Sequence, residues 1–119
     1  MAVNIVNVTG IEGKTKTGTV PDTLTSIFGT ITTSQVYKIN TVVISNITGD
    51  TVTDISVVIN DGTADKYIAS TVSVPADATL IVSSKDTAFY LEPGYSLKLL
   101  ASAASALDYS ISYELITDA

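Results

Sequence analysis

Apolar and polar residues alternate along most of the chain, with the period of two that is typical of half-buried β-strands. The clearest run covers residues 107–115 and places its apolar members on one face: Leu107, Tyr109, Ile111, Tyr113 and Leu115. Further alternating segments cover residues 36–47, 52–60, 67–74, 79–84 and 89–91. In the second of these, Ile55, Val57 and Ile59 share a face. The pattern therefore predicts a protein built mainly from short strands.

The alternation changes phase once, within residues 36–47. One face carries Val36, Val42 and Ile44, and the other carries Tyr37, Ile39, Val43 and Ile47. The change falls at Asn40-Thr41 and predicts a β-bulge there, because one extra residue on a strand reverses the faces that follow it.

The first third of the chain is less regular. Residues 2–8 alternate and predict a short strand, whereas residues 10–18 (GIEGKTKTG) are rich in Gly, Lys and Thr and predict a loop or a flexible arm. Residues 23–33 contain β-formers broken by Gly29, which predicts an irregular strand or two short pieces. Turn signals then recur about every 8–12 residues. They are Pro21-Asp22, Thr48-Gly49-Asp50, Asp61-Gly62, Pro75-Ala76 and Pro93-Gly94.

Residues 97–107 (LKLLASAASAL) admit two interpretations. As a helix, they would form an apolar stripe from Leu97, Leu100, Ala101, Ala104 and Leu107. As a strand, they would align Leu97, Leu99, Ala101 and Ala103. A helix continued through Tyr113 would scatter the alternating residues that follow. We therefore predict two antiparallel strands, paired as a hairpin and joined near Ala104-Ser105, with context overriding the helix propensity of alanine.

About eight or nine short strands with regularly spaced turns indicate an all-β fold, an antiparallel β-sandwich that is jelly-roll-like. The 119 residues suit a single domain. We expect residues 35–116 to form the sandwich core and residues 1–34 to supply an N-terminal arm or edge strands.

The amino-acid composition excludes several kinds of site and partner. The chain is 45% hydrophobic and 15% charged, has a net charge of −6, and contains no Cys, no His and no Arg. It therefore has no disulfide and lacks the commonest general base and metal ligands. An acidic chain with scattered lysines is unsuited to nucleic acid, since binding requires clustered positive charge. We also expect no membrane span and, from MAVNIVNVTG, no secretory signal.

Three short motifs carry candidate chemistry. Asp61, Gly62 and Asp65 resemble part of a calcium loop, but the spacing of the oxygen ligands is wrong and a hairpin turn is the better interpretation. Asp50 and Asp54 flank a turn and lack a partner for acid–base catalysis. Sequons begin at Asn7 and Asn46, and we interpret both as chance matches in a Thr-rich chain. We predict no catalytic, cofactor-binding or metal-binding residues, and hence no enzyme.

Tyrosines supply most of the aromatic side chains, at positions 37, 67, 90, 95, 109 and 113. They suit either packing in a core or interface or, as an alternative, a carbohydrate-binding groove used in host attachment.

The order of the strand and turn motifs resembles a group of small virion proteins of tailed bacteriophages. The motifs are VYKINTVVISNITGD, DISVVIND, KYIASTVSVPADATLIV and FYLEPGYSLKLLASAASALDYSISYELI, which together cover about residues 35–116.

This resemblance implies a non-enzymatic structural protein of a virus particle, assembled in the host cytoplasm. It implies a capsid decoration (cement) protein that binds the major capsid protein, with a neck, tail or fibre accessory as the alternative. A homotrimer is the expected oligomer, because symmetry multiplies weak contacts.

Overall fold

The structure, a computed structural model, describes residues 8–118. This part of the chain forms nine strands and one short 3₁₀ helix, Lys85–Thr87. The strands are β1 (Val8–Thr19), β2 (Thr25–Ser26), β3 (Gln35–Asn46), β4 (Thr53–Asn60), β5 (Asp65–Val74), β6 (Thr79–Ser83), β7 (Phe89–Leu91), β8 (Ser96–Ala101) and β9 (Leu107–Asp118).

The strands form two antiparallel sheets that pack face to face. The first sheet has the order β1-β9-β3-β6, with β7 also paired to β3, and the second has the order β2-β8-β4-β5. The antiparallel pairs are nested along the chain: β1 with β9, β2 with β8, β3 with β6 and β7, and β4 with β5. A double-stranded ribbon wound in this way gives the two four-stranded sheets of a jelly roll. The predicted all-β, antiparallel, jelly-roll-like sandwich is confirmed.

The core lies between the two sheets and is filled by the alternating residues that the pattern identified. Ile55 and Val57 of β4, Leu97 and Leu99 of β8, and Ile111 of β9 are fully buried there. Since each such aliphatic side chain removed from water contributes roughly 1.5–3 kcal/mol, this layer is the main source of stability.

The bulge predicted at Asn40-Thr41 is confirmed, because the register between β3 and β9 shifts between Ile39 and Thr41. It also corrects the predicted faces. Ile39 packs in the same core cluster as Val42 and Ile44, whereas Val36 is buried outside that cluster. The bulge reverses the phase, so that odd positions before it and even positions after it both face the core.

The prediction of a loop or flexible arm at residues 10–18 is wrong. These residues belong to β1, which pairs with β9 without a register shift from Gly10 to Thr19. The strand conformation of these residues depends on hydrogen bonds to β9, a distant segment, and the local composition does not indicate that pairing. The strand predicted for residues 2–8 falls, except for Val8, outside the described residues. The irregular character of residues 23–33 is confirmed, since only Thr25–Ser26 forms a strand there.

Residues 97–107 contain a strand and a turn, so the strand interpretation is confirmed over the helix. The hairpin, however, is wrong. β8 lies in the second sheet and β9 in the first, and the segment between them crosses from one sheet to the other. Ser105 adopts a positive φ of 58° in this crossing, close to the predicted junction.

Candidate functional site

The segment with calcium-like spacing is the turn between β4 and β5. The Asp61 carboxylate accepts hydrogen bonds from the backbone N–H groups of Thr63 and Ala64, both at 2.9 Å. These bonds hold the pKa of Asp61 below its usual value. Gly62 has a φ of 92°, which a residue with a Cβ rarely adopts. The predicted hairpin turn is confirmed.

The Asp65 carboxylate, at the far side of this turn, contacts two other side chains. It accepts a hydrogen bond from the Asn60 amide at 2.7 Å and forms an ion pair with Lys98 at 3.0 Å. The Asn60 bond and then Lys98 lower the pKa of Asp65. Within residues 8–118, no group of three or more His, Cys, Asp and Glu side chains is placed to hold a metal ion.

Asp54 lies in a shallow depression of about 180 Å³ on the outer face of the second sheet, together with Asp22 and Ser56. Its carboxylate accepts a hydrogen bond from Ser73, and its backbone N–H donates to Ser102. Asp50, the other carboxylate considered from the sequence, bonds its own neighbour Thr51. The structure thus gives the two carboxylates different partners in different elements.

Asn46 is a structural hub rather than a modification site. Its amide nitrogen donates to the carbonyl oxygens of Thr51 and Val74, at 2.8 and 2.9 Å. Its amide oxygen accepts from the N–H and the hydroxyl of Thr48. Asn46 is only 4% exposed, and its hydrogen bonds join the end of β3 to the β3–β4 loop and to the end of β5. The sequon at Asn7 lies outside the described residues.

The tyrosines divide into a packed group and an exposed group. Tyr37 and Tyr113 stack on neighbouring strands with ring centroids 5.3 Å apart, and Phe28 packs edge-on against both. Tyr109 is buried, and Tyr95 packs against the core.

Tyr67 and Tyr90 are the two exposed tyrosines, at 56% and 44%. Tyr67 pairs with Val58 on the outer face of the second sheet, whereas Tyr90 pairs with Lys38 in the first sheet. Two rings on opposite sheets do not form a shared platform for a sugar. The geometry therefore offers little support for the carbohydrate-binding alternative.

Alkaline pH is expected to destabilise the protein through these packed tyrosines. Burial raises the pKa of Tyr37, Tyr109 and Tyr113, and Glu92 raises the pKa of Tyr95. A raised pKa means that the folded state favours the protonated phenol. The stability that each such phenol contributes is therefore fully present below its unfolded-state pKa of about 10. It is lost as the pH rises through the higher pKa of the folded state.

Urea unfolding on both sides of about pH 10, followed together with tyrosinate absorbance, tests this expectation. The double variant Tyr37→Phe/Tyr113→Phe should lose less stability on the alkaline side than the parent chain, and Tyr67→Phe is the exposed control. Titration of every tyrosine without any loss of stability would contradict it.

Most of the large exposed apolar side chains of the described residues belong to strands β5 and β6 and to the loop between β3 and β4. Strands β5 and β6 lie at the ends of their sheets and contact each other at one rim of the sandwich. The β3–β4 loop adjoins this rim through a hydrogen bond from the Asp77 N–H to the Thr48 carbonyl. Six large apolar residues on these elements are 37–63% exposed. They define the candidate assembly surface: Ile47, Val52, Tyr67, Ile68, Val72 and Ile81.

The backbone of β5 suits a side-chain contact surface more than a strand-pairing edge. Its register with β4 shifts twice, around Val57, and Thr71 has a positive φ of 46°. Bulges and strained residues at an edge discourage regular pairing with another strand. The nine consecutive residues 65–73 are exposed or half-exposed, which leaves their side chains free to contact a partner.

Sequence reasoning missed this surface. Residues 67–74 alternate as a half-buried strand would, and the pattern does not show that β5 lies at an edge. Only the sheet order, which depends on pairing between distant segments, places β5 and β6 at the ends of their sheets, where the two strands contact each other.

Comparison with known proteins gives a fold and no family. Neither a protein-family model nor a curated protein sequence matches the chain. Among solved structures, the chain is similar to a subunit of Bacillus endospore appendages, described as a novel family of disulfide-linked pili. That match has 14% identity, covers 92% of this chain and 87% of the other, and has a TM-score of 0.51.

Two viral structures also match. The infectious bursal disease virus VP2 subviral particle has 11% identity and a TM-score of 0.47, over 93% of this chain and 33% of the other. The Gt strain of that virus has 11% identity and a TM-score of 0.43, over 92% and 33%. This chain spans a third of the length of those viral chains. The likeness to the pilus subunit is one of fold, and it agrees with the observed sandwich. Within the described residues, the fold contains no helix of the length and apolarity that crossing a membrane requires.

Proposed function

We propose that the protein is a non-enzymatic structural component of a virus particle, and that it decorates the capsid by binding the major capsid protein. The observation that carries the proposal is the candidate assembly surface. Soluble domains rarely expose a large contiguous apolar surface, so six exposed apolar side chains on adjoining elements at one rim of the sandwich favour contact with another protein. The motif resemblance to phage virion proteins supports the choice of partner.

The construction of the sandwich also supports a structural role. Stability comes from a continuous aliphatic core, without disulfides, in a chain that has no Cys. A particle protein contacts many equivalent sites, so modest contacts repeated by symmetry are sufficient for firm attachment.

A filament subunit is the second candidate, and the fold shared with the endospore pilus subunit favours it. The match covers most of both chains. The pili are described as disulfide-linked, whereas this chain has no Cys and would have to assemble through non-covalent contacts alone. Fibres visible by electron microscopy in a concentrated solution of the pure protein would support this candidate over decoration.

Quantitative mass spectrometry of purified particles from the source virus tests the leading proposal. Hundreds of copies per particle would support decoration, and about six or twelve would support the neck or tail accessory. Absence of the chain from purified particles would contradict both. The homotrimer remains a prediction from the resemblance.

A surface variant connects this count to the candidate assembly surface. Ile81→Lys places a charge on an exposed side chain, so folding should be unchanged while binding to particles that lack the protein is lost. Tyr90→Lys is the matched control, because it makes the same kind of change at an exposed residue outside the surface. Equal binding by both variants and the parent would exclude this surface from the contact.

A further inference from the structure

Strand β1 leaves a long, regular backbone edge open at one side of the first sheet. It pairs with β9 on one side only, and no described strand pairs with its other side. The other sheet edges are less suited to pairing, because β2 has two residues, β6 has five, and β5 is interrupted by bulges. An unpaired edge of this length is a template for another strand.

The hydrogen-bonding direction of β1 follows from its last contact with β9. The Val20 N–H donates to the Leu107 carbonyl at 2.8 Å. Because backbone groups alternate in direction along a strand, even-numbered residues of β1 face β9. The N–H and C=O groups of Ile11, Gly13 and Thr15 therefore point away from the sheet, toward the open edge.

We propose that two copies of this chain pair through their β1 strands, antiparallel and about a twofold axis at Gly13. The two first sheets then become one continuous sheet across the dimer. In this register Gly13 lies opposite Gly13 of the second copy, and Ile11 lies opposite Thr15 of the second copy. These are the residues with outward-pointing backbone groups, and they would form about six inter-chain hydrogen bonds.

Charge fixes this register. Glu12 lies opposite Lys14 of the second copy, and the twofold axis repeats the pair, so two opposite-charge pairs form. These positions belong to non-hydrogen-bonded pairs, in which the Cα atoms are about 4.5 Å apart and side chains meet most closely. Shifting the axis to Lys14 would place two lysines opposite each other, which is unfavourable.

In the single chain these charges have weak partners. Lys14 and Glu12 approach to 3.9 Å along one strand, with side chains 43% and 64% exposed. Such an exposed pair contributes little by itself. A lysine-only edge would repel other strands, but an edge that alternates Glu and Lys is complementary to a second copy of itself.

The other face of β1 supports the same contact. Ile11 is 58% exposed, on the face opposite to Glu12 and Lys14, and it pairs with the buried Ile116 of β9. Pairing covers part of Ile11 with the second copy. A Cβ on Gly10 or Gly13 would meet no atom within 4 Å, so the space beside the strand is open.

Native mass spectrometry and analytical ultracentrifugation of the full chain at low salt test the proposal. The expected species has twice the 12.4 kDa mass of one chain. Lys14→Glu should raise the dimer dissociation constant about tenfold or more, because it places two carboxylates opposite each other at both pairs. Glu12→Lys should do the same with two ammonium groups.

Combining these changes gives a result that a general charge effect would not. The double variant Glu12→Lys/Lys14→Glu restores both opposite-charge pairs and should dimerise like the parent. A mixture of the two single variants should form a heterodimer, since every opposed pair then has opposite signs. Lys85→Glu, in the 3₁₀ helix, is the matched control for net charge.

Gly13→Pro tests the backbone contact separately. The Gly13 N–H faces away from β9, so proline should leave the folded chain intact by circular dichroism and abolish the dimer. A monomeric parent chain at about 100 µM, well above the dissociation constant of a typical stable dimer, would overturn the proposal. So would a trimer, which is the competing oligomer that the resemblance implies, or a dimer that the charge variants do not weaken. None of these results bears on whether the chain is found in particles.

Discussion

Replacement of Asn46 by alanine is expected to lower the free energy of unfolding by about 3 kcal/mol. The change removes both amide hydrogens that the Thr51 and Val74 carbonyls accept, and the Val74 bond is buried. It also removes the oxygen that accepts from Thr48. A buried polar group left without a partner costs about 1–3 kcal/mol, and this site loses several partners together.

Urea denaturation followed by circular dichroism measures this loss. Asn60→Ala is the matched control, because the Asn60 amide also bonds on both sides, to Asp65 and to the Gly62 N–H, but in an exposed turn. Water replaces those bonds, so the control should lose about 1 kcal/mol or less. Equal losses from the two variants would show that Asn46 is not a buried hub.

Replacement of Ile111 by alanine is expected to cost about 3–4 kcal/mol, the second large effect. Ile111 is fully buried near the middle of β9, between neighbours from both sheets, and truncation leaves a cavity that the packed sandwich cannot close. Ser112→Ala is the control on the outer face of the same strand, and it should change stability by no more than about 0.5 kcal/mol.

The same urea experiment decides between orientations of β9. A larger loss at Ser112 than at Ile111 would mean that the strand presents its other face to the core. Because a shift of one residue exchanges every inward and outward side chain, this pair of variants reads the register directly.

The alternation of apolar residues predicted which segments are strands, and the reason is local. Ile55, Val57 and Ile59 must share a face because successive side chains point to opposite sides of a strand. The same rule identified the bulge at Asn40-Thr41. It placed Ile39 on the wrong face. Which face before a bulge continues as which face after it can be decided only when the partner strand is known.

Strand partners were harder to predict than strands. β8 and β9 are consecutive and both apolar, which favoured a hairpin, yet each pairs with a strand more than 35 residues away in sequence: Ile55 opposite Ala101, and Ile44 opposite Tyr109. Pairing at that range depends on how the whole ribbon winds, and the sequence carries no local signal for it.

Strand β1 was missed for a related physical reason. Its positions opposite the core-facing residues of β9 are Glu12, Lys14 and Lys16, so it lacks the apolar alternation that marks the other strands. The candidate assembly surface was missed for the opposite reason. Ile68 and Ile81 resemble core residues in the sequence and are exposed only because their strands lie at the rim.

The central claim, that this sandwich is a structural protein which acts by contact with other particle proteins, has one most direct test. A cryo-EM map of intact particles from the source virus should show the jelly roll repeated over the capsid, with β5, β6 and the β3–β4 loop against the major capsid protein. A map that resolves the capsid surface and contains no such density, or that turns those elements toward solvent, would contradict it.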